Sequence, residues 1–145
     1  MAVKDFFSES QQHAIGESIA RAELNTSGEI RVHLEEKCKT EPVQRAVKVF
    51  EQLAMHKTEH RNGVLFYLAV KDKKFAVIGD QGINGLVDEH FWDDVKTEML
   101  RQFQLGLFTE GLSNGIEMAG EKLKIHFPYQ SDDTNELSND ISFGE

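Results

Sequence analysis

Positive charge is scarce in this chain: 16 Lys and Arg stand against 25 Asp and Glu, a net charge of −9 over 145 residues. No basic field exists to neutralise phosphates, which argues against nucleic acid and against an anionic membrane surface as partners. A cation or a basic protein surface suits the charge better. Long apolar runs are also lacking. The longest, Val64 to Val70, is seven residues, far below the roughly 18–20 that span a bilayer. Met1-Ala2-Val3-Lys4-Asp5 has no apolar signal segment. The one cysteine, Cys38, excludes an internal disulfide and, between Lys37 and Lys39, reads as an incidental exposed thiol in a reducing compartment. These absences lead to the expectation of a soluble, cytoplasmic protein.

What is present suits one globular domain, with 39% hydrophobic and 28% charged residues. Ser8-Glu9-Ser10-Gln11 has capping-box form, and Ala14, Ile15, Ile19 and Ala22 recur behind it at helical spacing. Glu29 to Leu34 alternates polar and apolar, as a strand with one covered face does. Pro42 fits the first turn of a second helix, whose stripe runs Val43, Ala46, Val47, Phe50, Leu53, Ala54 and which Arg61-Asn62-Gly63 ends. The continuously apolar Val64–Val70 reads as a strand covered on both faces. A short turn at Asp72-Lys73 returns the chain as Phe75–Ile78. A glycine-rich loop, Gly79 to Gly85, precedes a third helix from about Asp88 and a fourth from near Thr109. From Pro128 onward there are five acidic residues and no basic ones, so 1–127 is read as the domain and 128–145 as an acidic, disordered tail.

A strand dry on both faces needs helices on both sides. The expected fold is therefore α/β, a three-layer α/β/α sandwich with a small mixed sheet. The first two strands, joined by a helical crossover, should be parallel, and the hairpin strand antiparallel to the second. Glu29, Arg61-Asn62-Gly63 and Gly79-Asp80 then meet at one rim, within roughly 5–12 Å given the ~4.8 Å strand spacing. Asp88, Asp93 and Asp94 leave from the same place. Oxygen-rich and adaptable, such a rim suits a hard cation, Ca²⁺ or Mg²⁺. Spacing alone leaves two other readings open: turn and cap roles for Asp80 and Asp88, with Glu29 solvated, or an ion pair between Arg61 and one of the carboxylates.

Thr26-Ser27-Gly28-Glu29-Ile30-Arg31-Val32, Arg61-Asn62-Gly63-Val64-Leu65 and Ile78-Gly79-Asp80-Gln81-Gly82-Ile83 resemble, in order and spacing, the successive motifs of the TPM domain. That family includes a thylakoid-lumen protein of photosystem II repair and often carries a phosphatase label. The resemblance implies an α/β/α sandwich whose acidic cleft binds divalent cations, calcium favoured. Carried over by motif, its cleft positions are Glu29, Arg61, Asn62, Gly79, Asp80 and Gly82. It leaves a non-catalytic domain with a metal-ordered loop as the leading function, against a metal-dependent phosphatase or an acidic module for a basic partner.

Other motifs carry less. Asp80, Asn84, Gly85 and Asp88 match four EF-hand positions, but Phe91 stands where the bidentate glutamate belongs. Gly79, Gly82 and Gly85 lack the dinucleotide spacing and read as positions of positive φ. His56-Lys57-Thr58-Glu59-His60 has the H-x-x-E-H form of inverted zinc peptidases, at a helix end with no third ligand in view. Trp92 reads as core, and no serine sits in a G-x-S-x-G elbow.

Overall fold

The Ser8 hydroxyl accepts from the Gln11 amide at 3.1 Å while the Gln11 side chain accepts from the Ser8 amide at 2.9 Å. This box starts α1 (Glu9–Glu23), which buries Ile15, Ile19 and Ala22. The computed structural model describes residues 3–129 and 137–144. β1 (Glu29–Glu35) and β2 (Gly63–Ala69) are parallel, joined through α2 (Pro42–Gln52). β3 (Lys74–Gly79) returns antiparallel to β2. α3 (Gln81–Asn84), α4 (Asp93–Gln104) and α5 (Phe108–Leu123) follow, and β4 (Ser142–Phe143) pairs parallel with β1, for the order β3-β2-β1-β4.

Every residue of β2 is buried. Val64, Phe66 and Leu68 enter a core with Ile15 and Ile19 of α1, Val95 and Met99 of α4, and Leu112 and Ile116 of α5. Leu65, Tyr67 and Ala69 enter a second, with Ala46, Val49 and Phe50 of α2. The three layers are those expected, because period-two alternation sends successive β2 side chains to opposite helices. Each fully buried Leu or Phe contributes roughly 1.5–3 kcal/mol. No helix among the described residues is long and apolar enough to cross a membrane.

Four expectations are corrected. α2 stops at Gln52 rather than running to Arg61: Ala54 is left-handed (φ 56°), and a 3₁₀ turn, Met55–Lys57, drives Met55 into the second core. His56 and His60 therefore share no helix face, and the zinc-peptidase pattern has no structural basis. The third long helix begins at Asp93, not Asp88, because Asp88 instead closes a turn by accepting from the His90 amide at 2.9 Å. Cys38 is buried: its amide donates to Asp72 at 2.8 Å and its sulfur packs into the second core. Of the expected disordered tail, residues 130–136 and 145 lie outside the described residues, but Ser142–Phe143 form β4, held by tertiary partners that composition does not reveal. Trp92 is buried as read, edge-on to Phe91.

α1 and α5 meet at Gly120, where a Cβ would stand 2.8 Å from the Ala22 Cβ and 2.9 Å from its Cα. Gly→Ala inside an open helix gains about 1 kcal/mol; here the facing atoms include backbone, and overpacking wins. Gly120→Ala is expected to destabilise the protein by about 1–3 kcal/mol in urea unfolding. A more stable variant would contradict this helix contact.

Candidate functional site at the shared strand rim

Register brings the strand ends together as expected: Glu29 faces Gly63 across β1 and β2, and Val64 faces Gly79 across β2 and β3. Backbone bonds lace the rim. Glu29 N–H donates to the Asn62 carbonyl at 3.2 Å, Asp80 N–H to Gly63 at 2.9 Å, and Gly82 N–H to Arg61 at 2.9 Å. Gly82 is glycine because of this approach: a Cβ there would stand 2.3 Å from the His60 oxygen and 2.5 Å from that of Arg61. The expectation of positive φ through the glycine-rich stretch is thereby corrected. Among the described glycines only Gly106 has one, at 79°. Nor is the stretch an open loop, since Gln81–Asn84 already form α3.

Arg61 itself takes the left-handed conformation, φ 50°. Its guanidinium forks onto Asp80, with Nε to Oδ2 at 2.8 Å and the second nitrogen to Oδ1 at 2.9 Å. Asp80 is only 7% exposed, the Arg61 side chain 37%. Bidentate charge-assisted pairs of this kind are the strong ones. Asp80 also accepts from the Gln81 amide at 2.7 Å, capping α3. Both alternatives left open for Asp80, ion pair and cap, are thus realised in one carboxylate.

Asn62 is 1% exposed. Its amide donates to Thr58 Oγ1 at 3.3 Å and its side-chain nitrogen to the Ser27 carbonyl at 3.2 Å, but its side-chain oxygen is buried without a partner. Glu29, 4% exposed, accepts from the Leu137 amide at 3.0 Å. Glu23, which the sequence reading missed, accepts from Ile30 N–H at 3.0 Å. Burial pushes Glu23 up to about 8, the Ile30 bond opposes the rise, and the Glu29 charge adds to it. An acid in the last turn of α1, where the helix dipole disfavours it, was the available signal.

The other aspartates do not join. Asp88 serves its own turn, Asp93 lies 2.9 Å from His90, and Asp94 reaches Lys122 at 3.0 Å; all three are exposed. Among the described residues no group of three or more His, Cys, Asp or Glu is arranged to hold a metal ion. Beside the rim, on the α2 face, a cleft of about 710 Å³ is lined by Phe50, Glu51, His56, Arg61, Asp80 and Asn84. His56 Nδ1 is buried without a partner.

A second polar cluster at the far end of β1 was also missed. Glu35 accepts from the Tyr67 hydroxyl at 2.6 Å, from Arg45, and from His33 Nε2 at 3.2 Å. Burial raises Glu35, but bonds from Arg45, Tyr67 and His33 outweigh it and bring it down to about 2. Burial lowers His33, against the pull of Glu35.

The family model of the TPM domain matches residues 2–122. No curated protein matches. Among solved structures, the chain is similar to the BA42 protein of the psychrophilic bacterium Bizionia argentinensis, determined by NMR. The two are 47% identical over 96% of each chain, with a TM-score of 0.91. The N-terminal domain of a P. gingivalis protein is 19% identical over 83% of this chain and 78% of its own, TM-score 0.68. The N-terminal domain of the cg2496 protein of Corynebacterium glutamicum is 11% identical over 97% and 82%, TM-score 0.64. These two show the fold alone. With its motifs in order along the rim and its family match spanning nearly the whole domain, the chain belongs to the TPM domain family.

Proposed function

We propose that this TPM domain binds a divalent cation, calcium before magnesium, at the strand rim, without catalysis. The observation that carries the reading is the Asn62 side-chain oxygen, buried and unpartnered beside the start of β1. A buried oxygen without a donor is costly, and a hard cation is an oxygen seeker. Glu29 supplies a full charge from the next strand, and Asp80 a second if Arg61 withdraws. Asp88, Asp93 and Asp94 drop out of the proposed ligand set. With so few carboxylates, one already neutralised by Arg61, affinity belongs in the weak range of about 10⁻⁴–10⁻³ M. Calcium, tolerant of irregular geometry, suits such a site better than magnesium, which demands a near-ideal octahedron.

A metal-dependent phosphatase is the second reading, favoured by Arg61 and His56 lining one cleft. It ranks lower because the guanidinium is committed to Asp80 and, among the described residues, no nucleophile with a partnered base lines the cleft. The net charge of −9 also supports a basic protein surface as a further partner.

Calcium titration followed by calorimetry and amide NMR tests the reading. Shifts are expected at Gly28–Ile30, Asn62 and Gly79–Gly82, saturating at millimolar metal. Glu29→Gln should weaken binding about tenfold, and Arg61→Gln, freeing Asp80, should strengthen it several-fold. No response from these amides at millimolar calcium would sink the proposal.

Glu23 yields a separate pH test without metal. The fold raises its pKa above the ordinary 4.5, so its contribution to stability is intact below that value and is lost as pH rises towards about 8. Glu23→Gln is expected to stabilise the protein by about 1–2 kcal/mol at pH 8, discounted for partial exposure, with little effect at pH 4. Equal effects at both, by urea unfolding, would mean that Glu23 titrates normally.

A further inference from the structure

The chain's scarce positive charge is not spread evenly. Residues 37–48 and 71–74 hold seven of the 16 basic residues and only two of the 25 acidic ones. Both stretches follow the carboxyl ends of strands, β1 and β2, at the end of the sheet opposite the motif rim. The Val70 and Lys71 amides stitch them together, donating to the Glu35 and Glu36 carbonyls at 2.9 and 2.8 Å.

Open α/β sheets take ligands outside the carboxyl ends of their strands, where the order of connection reverses. Here that strand is β1. The chain leaves it through α2, on one face, to reach β2. It returns past α4 and α5, on the opposite face, to pair as β4 on the other side of β1. A cavity of about 460 Å³ opens at this end of β1, within the span of about 300–1,000 Å³ usual for small-molecule sites.

The lining of this cavity is held in place by its neighbours. Cys38 is buried and its amide donates to Asp72 at 2.8 Å, while Lys74 Nζ donates to the Cys38 and Thr40 carbonyls at 3.2 and 3.5 Å. A buried, anchored residue between two exposed lysines fixes where Lys37 and Lys39 leave the backbone. Arg45 and Lys48, three apart on α2, share a helix face. The nearby carboxylates are engaged elsewhere: Glu35 with Arg45, Glu36 with Lys71 at 2.8 Å, and Glu41 with the Gln44 amide at 3.2 Å. Lys37, Lys39 and Lys48 line the cavity with no ion-pair partner among the described residues. In a protein of net charge −9, three ammonium groups thus border one recess without an acid to meet them.

We propose that this cavity binds the phosphate group of a small molecule. Lysines are compact point charges that can hold a phosphate from several directions, whereas a planar carboxylate favours the fork of an arginine. Arg45 keeps its own fork on Glu35. A phosphate monoester carries about −1.5 to −2 charges at pH 7, which three ammonium groups can match. A nucleic acid would need a continuous basic surface, and the rest of the chain is acidic. The site lies at the far end of β1 from Glu29 and does not depend on the cation-binding reading.

Titration of the ¹⁵N-labelled full chain at low salt with glucose 6-phosphate, inorganic phosphate and citrate tests this. Glucose 6-phosphate should shift the amides of residues 37–40, Arg45 and Lys48 and leave those of Gly28–Ile30 and Gly79–Gly82 in place. Lys37→Gln, Lys39→Gln and Lys48→Gln, all at exposed positions, should each weaken binding about threefold, and together more than about tenfold. Lys124→Gln, at the exposed C-cap of α5, should leave it unchanged. Tighter binding of the sugar phosphate than of inorganic phosphate identifies an ester as the ligand, and equal binding identifies the free ion; either supports a phosphate site. Citrate bound more tightly than both, no shift of these amides at millimolar ligand, or an equal loss in Lys124→Gln overturns it.

Discussion

A strand with both faces dry has nowhere to send its backbone hydrogen bonds except sideways, and β2 is such a strand along its whole length. It must therefore be flanked, by β1 on one side and β3 on the other. Its alternating side chains must also meet helices above and below. Once the crossover through α2 makes β1 parallel, and the short turn at Lys73 makes β3 antiparallel, the starts of β1 and β2 and the end of β3 have no choice of rim. The motif residues occupy that rim because of chain direction, before any side-chain chemistry is considered.

The same constraint shifts the polar load outward to β1. Its core-facing side is Ile30, Val32 and Leu34, while the other carries Glu29, Arg31, His33 and Glu35. Two solutions keep those groups satisfied. At the far end, Glu35 is locked by Arg45, Tyr67 and His33, a closed network with its carboxylate held ionised. At the rim the arrangement is looser, with Glu29 served by a backbone amide from a distant segment and the Asn62 oxygen left without a donor. A fully satisfied network rigidifies, whereas a buried group without a partner carries its desolvation cost.

Local signals told most of this architecture. The Ser8 box, the apolar run of β2 and the hairpin turn are encoded within a few residues each and appear where read; the alternation through β1 marks a strand correctly, but that strand is covered on both faces rather than one. What failed needed tertiary information. Leu53 and Ala54 fit the apolar stripe of α2, so nothing local reveals that Ala54 turns left-handed to bury Met55. Asp88 looks like a cap and acts as one, but for a turn. Residues 137–144 belong to a stretch of disordered composition, yet they are held by His33, Leu34 and Glu29, a hundred residues earlier. For the candidate site, the gathering of Glu29, Asn62, Arg61 and Asp80 was legible from topology. The Arg61–Asp80 fork was one alternative among three, because strand spacing bounds distance and not side-chain choice.

On the cation-binding reading proposed above, Arg61 is the reason a site at this rim would be weak. Holding a non-glycine residue at φ 50° costs on the order of 1 kcal/mol, and the strain persists because Gly82 N–H grips the Arg61 carbonyl while Asp80 grips its guanidinium. The Asp80 carboxylate therefore already has an internal counter-ion. On that reading a dication reaching Asp80 would replace a bidentate pair rather than fill a bare charge, and would gain only the difference between two attractions. The same reading would give the advantage to an ion that also uses the neutral Asn62 oxygen, which is buried without a partner. On the proposed cation-binding reading, selectivity for a dication over the protein's own cation would rest on an uncharged amide, with the charges setting how much of the exchange remains to be won.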